Sequence, residues 1–191
     1  MSRRGEERVA TEELPAAQPI TTLAELRAAS DDQRHRMLTL LIVKPLTARA
    51  LASQLRMPRT KVYYHLGLLE RHGLIRVAGQ RVSGRQLERI YRAVARSFRV
   101  DTALLGGKTR RGAASARVQI LRNALRDFEE TSGRRSSRPE QMVVSRAMLR
   151  LKPAQLANLR QRIHRLVASL ETTQAEGEPT ELLIALFPTE L

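Results

Sequence analysis

The sequence predicts an α+β protein, mostly helical with a small β component, built in two parts. Three observations carry that prediction. Pro45 to Val77, PLTARALASQLRMPRTKVYYHLGLLERHGLIRV, reads as helix, tight turn, helix and strand. A second strand pattern follows it across a Ser83-Gly84 turn signal. Further on, two long stretches repeat apolar residues at spacings of three and four, each followed by a short apolar run that reads as a strand. The expected order is therefore helices and a hairpin over residues 21–100, a linker over 101–112, and helix-strand-helix-strand over 113–191.

Met1 to Ile20 is polar and mixed in charge, with Pro15 and Pro19 near its end, so a disordered tail is expected. Arg3, Arg4 and Arg8 suggest a basic arm, but Glu6, Glu7, Glu12 and Glu13 oppose it. Thr22 to Glu25 fits a capping box that opens a short helix ending near Ser30. Ser30 to Gln33 fits a second one, opening a helix to about Val43. The Met37–Val43 run is apolar on most faces, so that helix is expected at the domain centre. Lys44-Pro45 ends it.

Thr47 is expected to cap a helix to about Leu55, with Leu51 and Leu55 inward. Arg56-Met57-Pro58 turns the chain, and the next helix runs from about Arg59 to His72, where Gly73 stops it. On a wheel of about 100° per residue, Val62, Leu66 and Leu69 share one side. Thr60, Tyr64, Gly67 and Arg71 lie opposite, flanked by Tyr63 and Arg59. One stripe is oil; the other donates hydrogen bonds and carries positive charge. A helix presented this way suits a DNA major groove. The strands are expected over Leu74–Arg81 and Gln86–Val94, with arginines that suit phosphate or minor-groove contact, Arg81 and Arg85 foremost.

Gly106-Gly-Lys-Thr109 imitates the end of a phosphate-binding loop, but Thr102 stands where that motif needs glycine, so a basic linker is the reading. The helix from Ala113 to about Thr131 carries Ala114, Val118, Leu121, Leu125 and Phe128 as one seam. Gln141 to Leu151 reads as a strand apolar on both faces. Pro153 opens a helix to about Gln174 with Leu156, Leu159, Ile163, Leu166 and Leu170 in line, and Glu181 to Phe187 reads as a last strand. Seams with no internal partner point to a homodimer.

The pattern L-T-x-x-x-L-A-x-x-L from Leu46, then V-Y-Y-H-L-x-L-L-E-x-x-G-L-I from Val62, resembles winged helix-turn-helix regulators of the ArsR-like group. The matching residues are Leu46, Thr47, Leu51, Ala52, Leu55, Val62 to Leu66, Leu68, Leu69, Glu70 and Gly73 to Ile75. The resemblance implies a winged helix-turn-helix domain with a C-terminal α+β dimerisation tail, and a transcription regulator rather than an enzyme. Two departures stand out. Pro58 occupies the place where the family usually caps the recognition helix with Ser, and the chain has no cysteine for a metal-sensing Cys box.

Charge agrees with a nucleic-acid partner. The 191 residues carry a net charge of +15, and 30 of the 34 basic side chains are Arg. Residues 21–100 hold 16 basic and 5 acidic side chains, net +11, which concentrates the excess on the proposed reading domain. No cysteine means no disulfide and no thiolate metal site. No apolar run suits a signal peptide or a membrane span, so a cytoplasmic protein without membrane association is expected. His35, His65, His72 and His164 suggest neither catalysis nor a metal site, and no cofactor is expected.

The resulting expectation is a homodimeric, sequence-specific regulator that binds double-stranded DNA at an inverted repeat, with repression the expected direction. The DNA-binding residues are expected to be Arg59, Thr60, Lys61, Tyr63, Tyr64, Gly67, Arg71, Arg81 and Arg85. A small-molecule effector is left open. The competing reading is a winged-helix module that binds DNA without operator specificity, or binds another protein.

Overall fold

The computed structural model describes residues 8–9, 14–83, 86–101, 104, 110–133, 142–145, 147–172 and 180–187. Strands β1 (Arg8–Val9) and β2 (Ala17–Ile20) precede helices α1 (Leu23–Ser30) and α2 (Asp32–Val43). A short β3 (Leu46–Thr47) leads into α3 (Ala48–Leu55) and α4 (Arg59–Arg71). Then come β4 (Ile75–Ser83), β5 (Gln86–Ala93) and β6 (Ser97–Val100), followed by α5 (Arg110–Ser132) and α6 (Pro153–Thr172). The fold class is α+β, as expected.

Helix starts follow from local chemistry. Thr22 and Glu25 form the expected capping box: Glu25 N–H donates to Thr22 Oγ1 at 3.1 Å, and Thr22 N–H donates to the Glu25 carboxylate at 3.2 Å. The second expected box is corrected. Asp31, not Ser30, caps α2, accepting from Arg34 N–H at 3.2 Å. Ser30 is the buried last residue of α1, and its carbonyl accepts from the Asn123 side chain. A carboxylate is a charged acceptor at the positive end of a helix, so it wins over the hydroxyl one residue earlier. Thr47 caps α3 as expected, accepting from Ala50 N–H at 3.2 Å.

Helices α3 and α4 end alike. In each, a residue in the left-handed region lets two successive N–H groups reach back to the last turn. Gly73 (φ 64°) donates to Glu70 C=O, and Leu74 donates to Leu69 C=O at 2.9 Å. Arg56 (φ 52°) donates to Ser53 C=O, and Met57 donates to Ala52 C=O at 2.9 Å. Only the first end uses glycine, so the Arg56 backbone is strained by about 1 kcal/mol.

The main sheet has the order β1-β4-β5-β3. β4 and β5 pair from Ile75↔Ala93 to Ser83↔Gln86, with an irregularity between Val77 and Gly79 that leaves the buried Ala78 unpaired. β3 pairs with β5 at Leu46↔Tyr91 and Thr47↔Ile90, so the residue that caps α3 also belongs to the hairpin's sheet. The principal core lies under these elements. Met37, Leu41, Leu51, Val62, Leu66, Leu69 and Leu74 are all buried in it.

A second core corrects the expectation for the N-terminal segment. β2 pairs in parallel with β6, from Ala17↔Ser97 to Ile20↔Val100, and β1 pairs with β4. Ile20 packs with Leu26, Leu104, Ala113 and Ala116. Composition pointed to disorder, but Leu14 and Ile20 are buried, and the open edge of β6 satisfies the β2 backbone. The same core draws in α5, which begins at Arg110 rather than Ala113 and packs on α1. A Cβ at Gly112 would meet Leu23 at 2.7 Å, so glycine sets that close approach.

One C-terminal expectation is corrected. The described residues of the proposed strands 141–151 and 181–187 form neither helix nor paired strand. A strand needs a ladder partner, and among the described residues neither segment has one. The α5 seam also faces outward: Val118, Leu121, Leu125 and Phe128 are exposed, while Ala113, Ala116, Asn123 and Ala124 face the body.

Candidate nucleic-acid interface

Helix α4 buries Val62, Leu66 and Leu69 against the principal core. That fixes which way the rest of the helix looks. Arg59, Thr60, Lys61, Tyr63, Tyr64, Gly67 and Arg71 are all exposed, with Tyr63 at 55% and Tyr64 at 65%. Two large amphipathic rings held that far into solvent present both an apolar face and a hydroxyl to a partner. A Cβ at Gly67 would meet nothing within 4 Å, so the helix surface there is open backbone. Pro58 precedes α4 without a side-chain cap; its carbonyl accepts from Val62 N–H at 3.2 Å.

Beside α4 lies a shallow groove whose walls include Thr47 and Arg49 of α3's start, Tyr63, and Glu88, Arg89 and Tyr91 of β5. The β3–β5 pairing ties the start of α3 to the hairpin strand that forms the other wall. Arg89 hydrogen-bonds to the Tyr91 hydroxyl, whose pKa is nevertheless raised, chiefly by burial and by Glu70. Arg89 is one of the hairpin arginines that rank behind Arg81 and Arg85 in the sequence, and Arg49 does not stand out there. Only the β3–β5 pairing, which a two-residue strand does not advertise, brings Arg49 next to β5.

The hairpin arginines fare differently. Arg81 is held by Glu88 of the facing strand, its Nε and Nη2 donating to Glu88 Oε2 at 3.2 and 3.1 Å. Its charge is thus largely neutralised where it stands. Arg85 lies outside the described residues.

His65 sits on the flank of α4, part-buried, with its ring edge toward Tyr64. Its Nδ1 is buried and makes no hydrogen bond among the described residues. Burial lowers its pKa, aided by Arg34 and Lys61 and opposed by Asp31, so it is neutral at pH 7. His35, by contrast, meets Asp127 of α5 at 2.9 Å, with Glu181 close by. The sequence reading passed over this meeting, since 92 residues separate the first pair.

Two helices at this turn, followed by an antiparallel hairpin packed on the same core, define a winged helix-turn-helix. Residues 30–78 match the family model described as a helix-turn-helix domain, and the stretch Leu46–Ile75 that carries the ArsR-like resemblance falls inside that match. Two solved structures of HlyU from Vibrio cholerae, one of them the reduced protein, are similar to the chain. Both are 19% identical; they cover 50% of this chain and 84% and 81% of their own, with TM-scores of 0.32 and 0.33. No curated protein matches the sequence. Among the described residues, no helix is long and apolar enough to cross a membrane.

Proposed function

We propose that this protein is a homodimeric transcription regulator that reads a DNA operator through α4. The observation that carries this reading is the division of α4 into a buried apolar stripe and an exposed face of Thr60, Tyr63, Tyr64 and Gly67. That face belongs to a domain whose net charge is +11. Tyr64 and Thr60 discriminate bases, and Gly67 lets the backbone approach them. Arg59, Lys61 and Arg71 hold phosphates along the groove. Arg49 and Arg89 add phosphate contacts from the groove beside the wing. Arg81 contributes shape more than charge while Glu88 holds it, and Arg85 is kept as a further phosphate contact on its charge.

The dimer reading rests on what one chain leaves uncovered. Val118, Leu121, Leu125 and Phe128 of α5, Leu166 and Leu170 of α6, and the apolar segments after each helix are exposed. A second copy is the economical cover, and its two-fold axis matches an inverted repeat. Repression by occupying a promoter is the mode we favour.

Selection of binding sites from random DNA with the full chain tests the reading. The expected result is a palindromic consensus whose footprint survives competitor DNA. Affinity should fall about 10³–10⁵-fold between 50 and 200 mM salt if about six to ten phosphates are contacted. Binding without a consensus would favour a non-specific module, and a flat salt response would favour a protein partner. Sedimentation at several concentrations tests the dimer, and a monomer throughout the range would remove it.

A further inference from the structure

We propose that His35, Asp127 and Glu181 form a binding site for a divalent transition-metal ion, of the zinc or cobalt type, that fastens the C-terminal segment to the reading domain. The three residues come from α2, from α5 and from the segment after α6. One ligand atom of each lies within 4.8 Å of the other two. His35 Nε2 and Asp127 Oδ2 are 2.9 Å apart. Two ligand atoms on a tetrahedral ion with bonds of about 2.0–2.1 Å stand roughly 3.3 Å apart, so that pair needs to open by only a few tenths of an ångström. Glu181 is exposed and free to close the remaining distance.

The donor chemistry selects the ion class. Imidazole with two carboxylates suits zinc, cobalt or nickel over calcium or magnesium, which prefer oxygen alone. Three protein ligands leave a fourth position for water.

Two further observations support the site. Arg126 occupies the other oxygen of Asp127, with its Nη2 at 3.2 Å from Oδ1, and also pairs with Asp32. Asp127 Oδ2 is left facing His35, which is how an outer-shell partner orients a ligand. Asp32, Asp127 and Glu130 gather around one guanidinium, with Glu181 beside Asp127, on a chain whose net charge is +15. A cation relieves that crowding.

The inference is independent of DNA binding, and its test does not use DNA. The full chain is titrated with Zn²⁺ by calorimetry and with Co²⁺ by visible absorption. We expect saturable binding of one ion per chain, with the intense visible bands of a low-symmetry four-coordinate cobalt site. His35→Ala and Asp127→Asn should each weaken it by more than the roughly 10–100-fold that outer-shell changes cost. Glu181→Gln should weaken it less, and His164→Ala, on exposed α6, not at all. Zn²⁺ should also slow proteolysis around residues 180–187 in the wild type but not in Glu181→Gln. Circular dichroism identifies variants that keep the fold, and either the His35 or the Asp127 variant suffices. No saturable binding, or binding unchanged in a folded His35 or Asp127 variant, overturns the site.

Discussion

The two halves of this chain use the same apolar rhythm to opposite ends. In the reading domain, Val62, Leu66 and Leu69 recur at spacings of four and three and are buried within one chain. In α5, Val118, Leu121, Leu125 and Phe128 recur at three, four and three and are exposed at 45, 39, 57 and 42%. Periodicity tells which residues share a face. It does not tell whether that face meets its own chain. On α5 the decision falls to a second stripe, Ala113, Ala116, Ile120, Asn123 and Asp127, with the same spacing and, apart from Ile120, smaller or polar side chains. Gly112 and the alanines let the helix approach α1 closely, and Asn123 supplies a specific hydrogen bond to Ser30 C=O at 3.0 Å.

The sharpest way to break this comparison is to truncate one leucine from each half. Leu66→Ala should cost about 2–5 kcal/mol, because a filled core site becomes a cavity. Leu125→Ala should change the stability of an isolated monomer by less than about 0.5 kcal/mol. Chemical denaturation at two protein concentrations separates the cases. If Leu125→Ala costs more at the higher concentration, the outward stripe is covered by a second copy.

The inward stripe of α5 is tested by Asn123→Ala. Asn123 is fully buried, donates to Ser30 C=O and accepts from Gln119 Nε2. Its removal strands a buried carbonyl, and a loss of about 1–3 kcal/mol is expected by denaturant unfolding. A loss within experimental error would mean that α5 is held to α1 by its small apolar residues alone.

Gly67 sharpens the contrast between folding and reading. Gly67→Ala meets no obstacle, so the free protein should gain about 1 kcal/mol from helix propensity. DNA affinity should fall, because the methyl group stands where the backbone approaches the groove. Increased stability with unchanged affinity would move the contact face away from Gly67.

The smallest expected effect is a pH dependence. The His65 pKa is lowered on folding, so the neutral ring contributes stability above the unfolded value of about 6.5, and this is lost as pH falls through the folded value. Thermal unfolding between pH 7 and 5 should show a slope that His65→Gln reduces. An unchanged slope in that variant would assign the dependence elsewhere.

The reading domain was legible because its signals are local. Thr22 with Glu25, Thr47, Gly73 and the α4 stripe each act within about one helical turn, and each is realised. What escaped the sequence depends on distant partners. β2 is four residues that mean nothing until β6 is beside them. Arg81 looked free because Glu88 faces it only across a hairpin. Arg49 joins the groove only through β3. The expected C-terminal strands fell to the converse cause: their composition suits a sheet, but among the described residues neither segment pairs with a strand.

The β2–β6 pairing also orders events at the ribosome. Ala17 leaves the exit tunnel long before its partner Ser97 exists. At about 5–20 residues per second, the intervening 80 residues take roughly 4–16 s to synthesise. Through that interval β2 has no edge to pair with, although α1, α2, α3 and α4 are all synthesised within it. The β2–β6 ladder therefore closes only after both helices of the helix-turn-helix have been made. A strand near the start of the sequence is among the last parts of its domain to settle.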